Sequence, residues 1–327
     1  MLKDNHGRDV NYLRLAITDR CNLRCQYCMP AAGLEWLPRR DLLTYEEMLT
    51  LMKAFSELGI QKVRFTGGEP FIRRDFIHLL EEVSKRNWFK IISLTTNGVL
   101  TAPHVPMLKK LGIHSVNLSL DSINKERFAG LTLRDELAAV MQTFQLLVDS
   151  GIKTRINAVV MEGKNEDDIE PLSRLAESHP VDVRFIEEMP FNGVGDSHAI
   201  RWNAAAIVQQ LKAYFPGLEK VQDEKYSTSF NYSVPGFKGR LGVIAAYTRS
   251  FCGSCNRLRV TPTGNLKTCL YGEPDVNLRD ALRQGIKDKE LKQLILLSVG
   301  RRKKDGHESE NDRKFGKVTE SMATIGG

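Results

Sequence analysis

Three cysteines stand close together near the start of the chain, in the run DRCNLRCQYCMP, at Cys21, Cys25 and Cys28. Three thiolates at this spacing can hold one metal centre, but they leave one coordination position for a ligand from elsewhere. A closed zinc site normally has four protein ligands, and the neighbouring histidines are His6 upstream and His78 far downstream. The spacing therefore predicts a metal site with an open position, where chemistry takes place, in preference to a structural zinc site.

A second set of three cysteines lies in the run FCGSCNRLRVTPTGNLKTCL, at Cys252, Cys255 and Cys269, again without a fourth. The two triads use all six cysteines of the chain. Three disulfides or a zinc-bound hairpin are the alternatives. The polar start MLKDNHGRDVNY and the lack of an 18-residue apolar run predict a soluble cytoplasmic protein. Cytoplasmic thiols stay reduced, which favours metal binding over cross-linking.

The composition is that of an enzyme-sized globular protein, with 327 residues, 42% of them hydrophobic, and a net charge of +7. This length suggests roughly one to three domains. The one dense basic run is 301–304, for which a solvated tail is the simpler interpretation. Because the other positive charges are dispersed, the sequence argues against nucleic acid as a partner, and it predicts no membrane association.

Short apolar or β-branched segments alternate with segments of helical spacing, which predicts an α/β fold with a parallel sheet and right-handed crossovers. The six predicted strands are 12–18, 62–66, 91–96, 114–120, 154–160 and 181–186. Such a sheet is either doubly wound or an incomplete barrel. A helix is predicted to start after Thr44, with Glu47 completing a capping box.

Ligands of parallel sheets gather at the carboxyl ends of the strands, which places several loops on one rim. The five loops are 21–28, 67–70, 95–98, 119–122 and 187–190. In the second loop, Gly67 and Gly68 allow a close backbone approach, and Glu69 offers a carboxylate. Taken alone, the TGGEP and TTNG segments are ordinary turns; their convergence beside the first triad predicts an active site.

Together these motifs resemble the GTP 3′,8-cyclase family of radical S-adenosylmethionine (SAM) enzymes. The resemblance covers nearly the whole chain and is carried by DRCNLRCQYCMP, VRFTGGEP, LTTNG, NLSLDS, VRFIEEMPF, FCGSCNRLRVTPTGNLKTCL and the terminal Gly326-Gly327. It implies a partial (βα)6 TIM-like barrel over residues 1–220 and a C-terminal extension over 221–327 that carries a second iron–sulfur cluster. It also implies two [4Fe-4S] clusters, one at each triad, with SAM on the open iron of the first.

The same resemblance implies a role for individual residues. The SAM contacts carried over are Tyr27, Gly67, Gly68, Glu69, Ser119 and Met189. The GTP contacts carried over are Arg14, Arg64, Thr95, Arg155, Arg184, Arg257, Leu258 and Arg259. Arg257, Gly326 and Gly327 join the first triad as catalytic residues. Arginine suits a triphosphate, because its planar fork binds phosphate oxygens in pairs.

The implied reaction is the first step of molybdenum cofactor biosynthesis. An electron from the first cluster cleaves SAM, the 5′-deoxyadenosyl radical removes the 3′ hydrogen of the GTP ribose, and the carbon radical attacks C8 of guanine. One more electron and a proton give 3′,8-cyclo-7,8-dihydro-GTP. The implied partners are an external electron donor and the downstream cyclic pyranopterin monophosphate synthase, with a homodimer as one option for assembly. Two alternatives remain open: a peptide-modifying radical SAM enzyme with auxiliary clusters, and a zinc-dependent nucleic-acid-binding protein.

Overall fold

Six parallel strands form the centre of the fold. The computed structural model describes residues 2–30, 33–189, 191, 200–313 and 320–326. Strands β1 to β6 are Tyr12–Ala16, Lys62–Thr66, Ile91–Thr96, Ser115–Ser119, Lys153–Val160 and Asp182–Glu187. Each of them pairs in parallel with the next along the chain. The predicted α/β fold with six strands is therefore confirmed, with strand ends that differ by a few residues at most.

The helices between these strands bury one apolar face each against the sheet. Helices α1 to α7 are Tyr45–Glu57, Phe76–Arg86, Val105–Lys110, Lys125–Thr132, Leu137–Asp149, Ile169–Ser178 and Ala204–Tyr214. The capping box predicted for α1 is present. The Thr44 side chain accepts a hydrogen bond from the Glu47 amide, and the Glu47 carboxylate accepts one from the Thr44 amide.

This cap provides a test of local stability. Because Thr44→Ala leaves the Glu47 amide at the exposed N-terminus of α1 without its side-chain partner, we expect the free energy of unfolding to fall by about 1 kcal/mol. Thr50→Ala is the matched control, since Thr50 lies on the exposed face of the same helix and alanine favours the helical backbone. Urea unfolding followed by circular dichroism measures both. Equal midpoints for the two variants would contradict the role of the cap.

The C-terminal extension continues the same sheet instead of forming a separate layer. Its strands β7 to β12 are Glu219–Lys220, Ser229–Ser233, Arg240–Ile244, Arg257–Val260, Asn265–Lys267 and Val276–Asn277. Its helices α8 to α11 are Leu278–Arg283, Asp288–Gly300, Gly306–Asn311 and Met322–Ile325. Strand β9 pairs in parallel with β6, and β10 pairs in parallel with β1. An arc of eight parallel strands results, with an antiparallel hairpin at each end.

The apolar cores also join the extension to the barrel. One core surrounds β1 to β3 and includes Leu258, Val260 and Ile295 of the extension; the other surrounds β4 to β6. Strand β7 ends at residue 220 and pairs with β8. The predicted domain boundary between 220 and 221 therefore separates two strands that are hydrogen-bonded to each other, and the boundary stays a prediction. No helix within the described ranges is long and apolar enough to span a lipid bilayer.

Candidate active site

A cavity of about 550 Å³ lies inside the arc of parallel strands. Strand alternation decides its lining, because every second side chain of a strand points to the same face. Tyr12 and Arg14 of β1 line it, as do Arg257 and Arg259 of β10, while their strand neighbours enter the core. All six cysteines also line this cavity. The structure therefore brings both triads to one space, as the sequence predicts.

The first triad follows β1, and the glycines after β2 hold its loop in place. The Gly68 amide donates to the Thr18 carbonyl at 2.8 Å, and the Glu69 amide donates to the Arg20 carbonyl at 2.8 Å. A Cβ atom at Gly68 would lie 2.1 Å from the Arg20 oxygen, and one at Gly67 would lie 2.5 Å from the Thr18 oxygen. These glycines are therefore required for packing of two loop backbones, in addition to their place in the cavity lining.

Glu69 is fully buried and lies behind the cavity wall. Its carboxylate accepts hydrogen bonds from the Thr96 hydroxyl at 2.9 Å, the Asn97 amide at 2.7 Å and the Phe71 amide at 3.2 Å. It thus joins the GGEP loop to the TTNG loop. Burial raises its pKa to about 7. The direct SAM contact predicted for Glu69 stays a prediction; the observed contacts give the carboxylate a positioning role.

Asn97 and Tyr27 extend this arrangement around the first triad. The Asn97 side-chain amide donates to the Cys21 sulfur at 3.5 Å. The Tyr27 hydroxyl donates to Asp121 at 3.0 Å, and the second oxygen of Asp121 accepts from the Val159 amide at 2.8 Å. Burial raises the pKa of Cys21 to about 11 and that of Asp121 to about 6. Cysteines whose pKa is raised in this way are held as thiolates when they bind a metal.

In the second triad, Cys255 has the opposite electrostatic surroundings. Cys252 and Cys255 belong to a turn before β10, and Cys269 follows β11. Two guanidinium groups reach the Cys255 sulfur, from Arg302 at 3.0 Å and from Arg257 at 3.8 Å. Burial alone would raise the pKa of Cys255, but Arg257 and Arg302 lower it to about 7.

The donor sets of both triads fit iron–sulfur ligation. Each triad offers three reduced thiols at the edge of a cavity large enough for a further ligand. Within the described ranges, no group of three cysteine, histidine or carboxylate side chains is gathered around a point where a single metal ion would bind.

The cavity lining has buried polar atoms without a partner in the part of the chain that the structure describes. The Nε atoms of Arg64 and Arg184, the Thr95 hydroxyl, and the side-chain oxygens of Asn117 and Asn157 have no hydrogen-bond partner among the described residues. Burial and neighbouring cations lower the pKa of Arg64 to about 10 and that of Arg184 to about 9. Leaving such groups unsatisfied is costly, so this wall fits a polar, anionic ligand.

The C-terminal segment enters the cavity between the two triads. The Ser321 hydroxyl donates to the Cys28 carbonyl at 2.6 Å, and Arg259 donates to the Gly326 carbonyl at 2.6 Å. Gly326 has φ +86°, and a Cβ atom there would lie 2.9 Å from that of Ala16. Gly326 therefore lies against the barrel wall. Gly327, predicted as catalytic, lies outside the described residues.

Most other predicted site residues line the cavity, with one correction. Ser119, Met189, Arg155 and Thr95 all face it. Leu258 does not; its side chain is fully buried in the core on the other face of β10. The prediction of Leu258 as a GTP contact is therefore wrong for its side chain, because adjacent residues of a strand point to opposite faces.

Several lining residues were missed from the sequence. Asn117 and Asn157 each lie two positions from a predicted site residue on the same strand, so strand alternation was the available signal. Tyr12 and Lys62 could have been found in the same way, from Arg14 and Arg64. The Lys62 ammonium lies 4.5 Å from the centre of the Tyr12 ring.

Known proteins resemble this chain over its full length. The sequence signature of the radical SAM superfamily matches residues 15–176, and that of Molybdenum Cofactor Synthesis C matches residues 181–308. The GTP 3′,8-cyclase of Clostridium perfringens (strain SM101 / Type A) is 37% identical over all of both chains. The chain belongs to the GTP 3′,8-cyclase family. The mitochondrial GTP 3′,8-cyclase of Arabidopsis thaliana is 38% identical, over 93% of this chain and 78% of that protein.

Longer relatives share the same region. Molybdenum cofactor biosynthesis protein 1 of Mus musculus is 42% identical over 93% of this chain, and the match covers 48% of the mouse protein. The chain thus spans about half the length of these animal relatives. Among solved structures, Streptococcus suis SuiB has a similar fold, with a TM-score of 0.59 at 15% identity over 88% of this chain and 68% of SuiB.

Family membership also bears on the cofactors and the predicted fold. The radical SAM family uses a [4Fe-4S] cluster with SAM, and relatives of the present type carry two clusters. The radical SAM α/β fold and the two cofactors predicted from the sequence are therefore confirmed at the level of the family. The residues that hold each cofactor in this chain remain predictions.

Proposed function

We propose that this protein is a GTP 3′,8-cyclase that converts GTP to 3′,8-cyclo-7,8-dihydro-GTP, the first step of molybdenum cofactor biosynthesis. One observation carries the proposal. A single cavity is lined by both cysteine triads and by buried arginine, asparagine and threonine side chains, some of whose polar atoms have no hydrogen-bond partner among the described residues. A peptide-modifying enzyme would not require this basic interior, and a nucleic-acid-binding protein would present its charge on an outer face.

The cavity assigns different tasks to its two ends. When bound, the first cluster and SAM supply the radical that removes the ribose hydrogen. Cys21, Cys25 and Cys28 are proposed to hold that cluster, while Tyr27, Gly68, Ser119 and Met189 surround SAM. Cys252, Cys255 and Cys269 are proposed to hold the second cluster, which binds the guanine base. Arg257 and Arg259 line the cavity and are proposed, together with the C-terminal glycines, to orient the substrate.

The phosphate end is proposed to lie along the arginine wall. Arg64 and Arg184 belong to β2 and β6, and Arg155 of β5 lies between them, with its Nε 3.3 Å from Asp182. A triphosphate would satisfy the unpartnered Nε atoms and reduce the mutual repulsion of these guanidinium groups. Enclosure by the barrel and the extension keeps water away from the radical chemistry.

Arg64 offers a clear test of this assignment. Arg64→Ala removes a charge-assisted hydrogen-bond donor worth about 1.5–3 kcal/mol, so we expect GTP affinity to fall roughly 10- to 100-fold while SAM affinity stays unchanged. Arg64→Lys should recover only part of the loss, because an ammonium lacks the planar fork. Arg174→Ala on the outside of α6 is the control. Anaerobic equilibrium binding gives both affinities; an equal fall for GTP and SAM would indicate a folding defect instead.

The remaining partners follow from the proposed reaction. It needs an external electron donor and a downstream cyclic pyranopterin monophosphate synthase that accepts the cyclised nucleotide. All six cysteines are free thiols in the structure, which agrees with a cytoplasmic location. We propose that the protein works there, either as a monomer or as a homodimer.

The direct test is a reaction with each nucleoside triphosphate under anaerobic conditions. The reconstituted protein is incubated with SAM, dithionite and one of GTP, ATP, CTP or UTP, and the products are separated by chromatography. The proposal expects 5′-deoxyadenosine together with a cyclised nucleotide from GTP alone. Cyclisation of another nucleotide, or none with GTP despite SAM cleavage and full cluster content, would refute it.

A further inference from the structure

The basic run 301–304 has an unexpected position. The sequence predicted a solvated tail, but Arg302 is only 3% exposed. Helix α9 ends at Gly300, and the chain then turns toward the second triad. Arg302 donates to the Cys255 sulfur at 3.0 Å and to the Cys255 carbonyl at 2.9 Å. The solvated-tail prediction is therefore wrong for Arg302, because its guanidinium is directed inward onto a predicted cluster ligand.

The N-terminal segment of residues 2–10 holds Arg302 in this position. The Asp4 carboxylate lies 3.4 Å from Arg302 and accepts a hydrogen bond from Arg8 at 2.6 Å. Arg8 also donates to the Lys303 carbonyl at 2.7 Å, and a ring nitrogen of His6 lies 2.9 Å from the Arg302 carbonyl. A buried charge is stable only when it is paired in this way. The network fixes the Arg302 guanidinium beside Cys255. It does so from Asp4, which lies 298 positions from Arg302 in the chain.

The contacts of the first triad are different. The Arg24 guanidinium donates to the Cys21 carbonyl at 2.7 Å, whereas the hydrogen bond to the Cys21 sulfur comes from the neutral amide of Asn97, at 3.5 Å. Two buried carboxylates, Glu69 and Asp121, also lie beside this triad. The two sites thus differ in the group that donates to a cysteine sulfur, a guanidinium at Cys255 and a neutral amide at Cys21. Hydrogen bonds to cluster sulfurs and nearby charge are two of the factors that set the reduction potential of an iron–sulfur cluster.

We propose that Arg302 is a positioning residue that holds Cys255 as a cluster ligand and raises the reduction potential of the second cluster. Reduction adds negative charge, so an N–H···S hydrogen bond from a guanidinium stabilises the reduced form more than the oxidised form. This inference rests on one part of the proposed function, namely that Cys252, Cys255 and Cys269 hold an iron–sulfur cluster. Within the run 301–304, Arg302 thereby has a role at the site, whereas Arg301 stays exposed to solvent.

The test measures a potential and not an activity. Replacing Cys21, Cys25 and Cys28 by serine leaves a full-length chain whose paramagnetic signal comes from the second cluster alone. In this background, anaerobic redox titration followed by electron paramagnetic resonance compares Arg302→Gln with Arg301→Gln. Arg301 is exposed and is the matched control. We expect Arg302→Gln to shift the ratio of reduced to oxidised cluster roughly tenfold toward the oxidised form, which is about 59 mV for one electron. Arg301→Gln should leave the ratio unchanged.

Arg302→Lys keeps the positive charge but loses the planar fork of the guanidinium. Its reduction potential should therefore shift in the same direction as that of Arg302→Gln, by a smaller amount. Full iron content with a parental potential in Arg302→Gln would overturn the proposal. If Arg302→Gln loses its iron, the potential of Arg302→Lys is the deciding measurement. A lowered potential in Arg302→Lys supports the proposal. A parental potential, or loss of iron from this variant as well, overturns the proposed effect of Arg302 on the reduction potential. Absence of a second cluster from the parental background would instead count against the proposed function itself.

Discussion

Replacing Cys25 by serine is expected to abolish the reductive cleavage of SAM, down to the level of a reaction without enzyme. Cys25 of the first triad is half-buried and lines the cavity with Tyr27 and the glycines of the GGEP loop. With one thiolate removed, the site can neither hold a complete cluster nor deliver an electron to SAM. Chromatography of anaerobic reactions should detect no 5′-deoxyadenosine above background.

The matched variant at the other end, Cys255→Ser, should fail differently. It leaves the first triad intact, so some 5′-deoxyadenosine should still form, uncoupled from substrate. No cyclised GTP should appear, because a base that is not held leaves the ribose hydrogen out of reach of a short-lived radical. Near-parental cyclisation by Cys255→Ser would show that the second triad does not position the substrate.

Removal of Gly326 and Gly327 is the second change with a large expected effect. The Gly326 carbonyl accepts a hydrogen bond at 2.6 Å from Arg259, which lines the cavity. Deletion of both residues leaves this guanidinium without its partner and removes the contact of the tail with Ala16 and Thr66. We therefore expect cyclisation to be lost while iron content stays at the parental level.

A point variant at Gly326 separates the effect of the tail's conformation from the effect of its length. Gly326→Ala places a Cβ atom 2.9 Å from that of Ala16 and 3.2 Å from the Thr66 methyl carbon, at a residue with φ +86°. A left-handed conformation costs an alanine roughly 1–2 kcal/mol, so the tail should leave its position and cyclisation should fall at least tenfold. Gly130→Ala is the control, since open space surrounds Gly130. Parental product formation by both tail variants would refute a catalytic role for the tail.

Local patterns were sufficient to predict the central strands, the α1 cap and both triads. In each case the signal lies within a few residues: β-branched runs, the Thr44 and Glu47 pair, or cysteine spacing. Which strands pair at the two edges of the sheet was not predictable in this way. The contact of β10 with β1 joins residues about 245 positions apart, and no short pattern encodes so distant a partner.

Tertiary structure also decides what the charged residues of the site do. The sequence shows that Glu69 and Arg302 are charged, but their burial and their partners come from distant parts of the chain. Leu258 was carried over from the resemblance together with Arg257 and Arg259, although strand alternation directs its side chain to the opposite face. Applying that alternation to every strand would have removed Leu258 and added Asn117 and Asn157.

The central claim is that two separate iron–sulfur sites open into one cavity. Iron and sulfide analysis tests it most directly, after anaerobic reconstitution of the parental chain and of two variants that each carry serine in place of one complete triad. Two cubane clusters predict about eight irons with matching sulfide in the parent and about four in each variant. Zinc in place of iron, four irons in the parent, or loss of all iron when either triad is replaced would contradict the account.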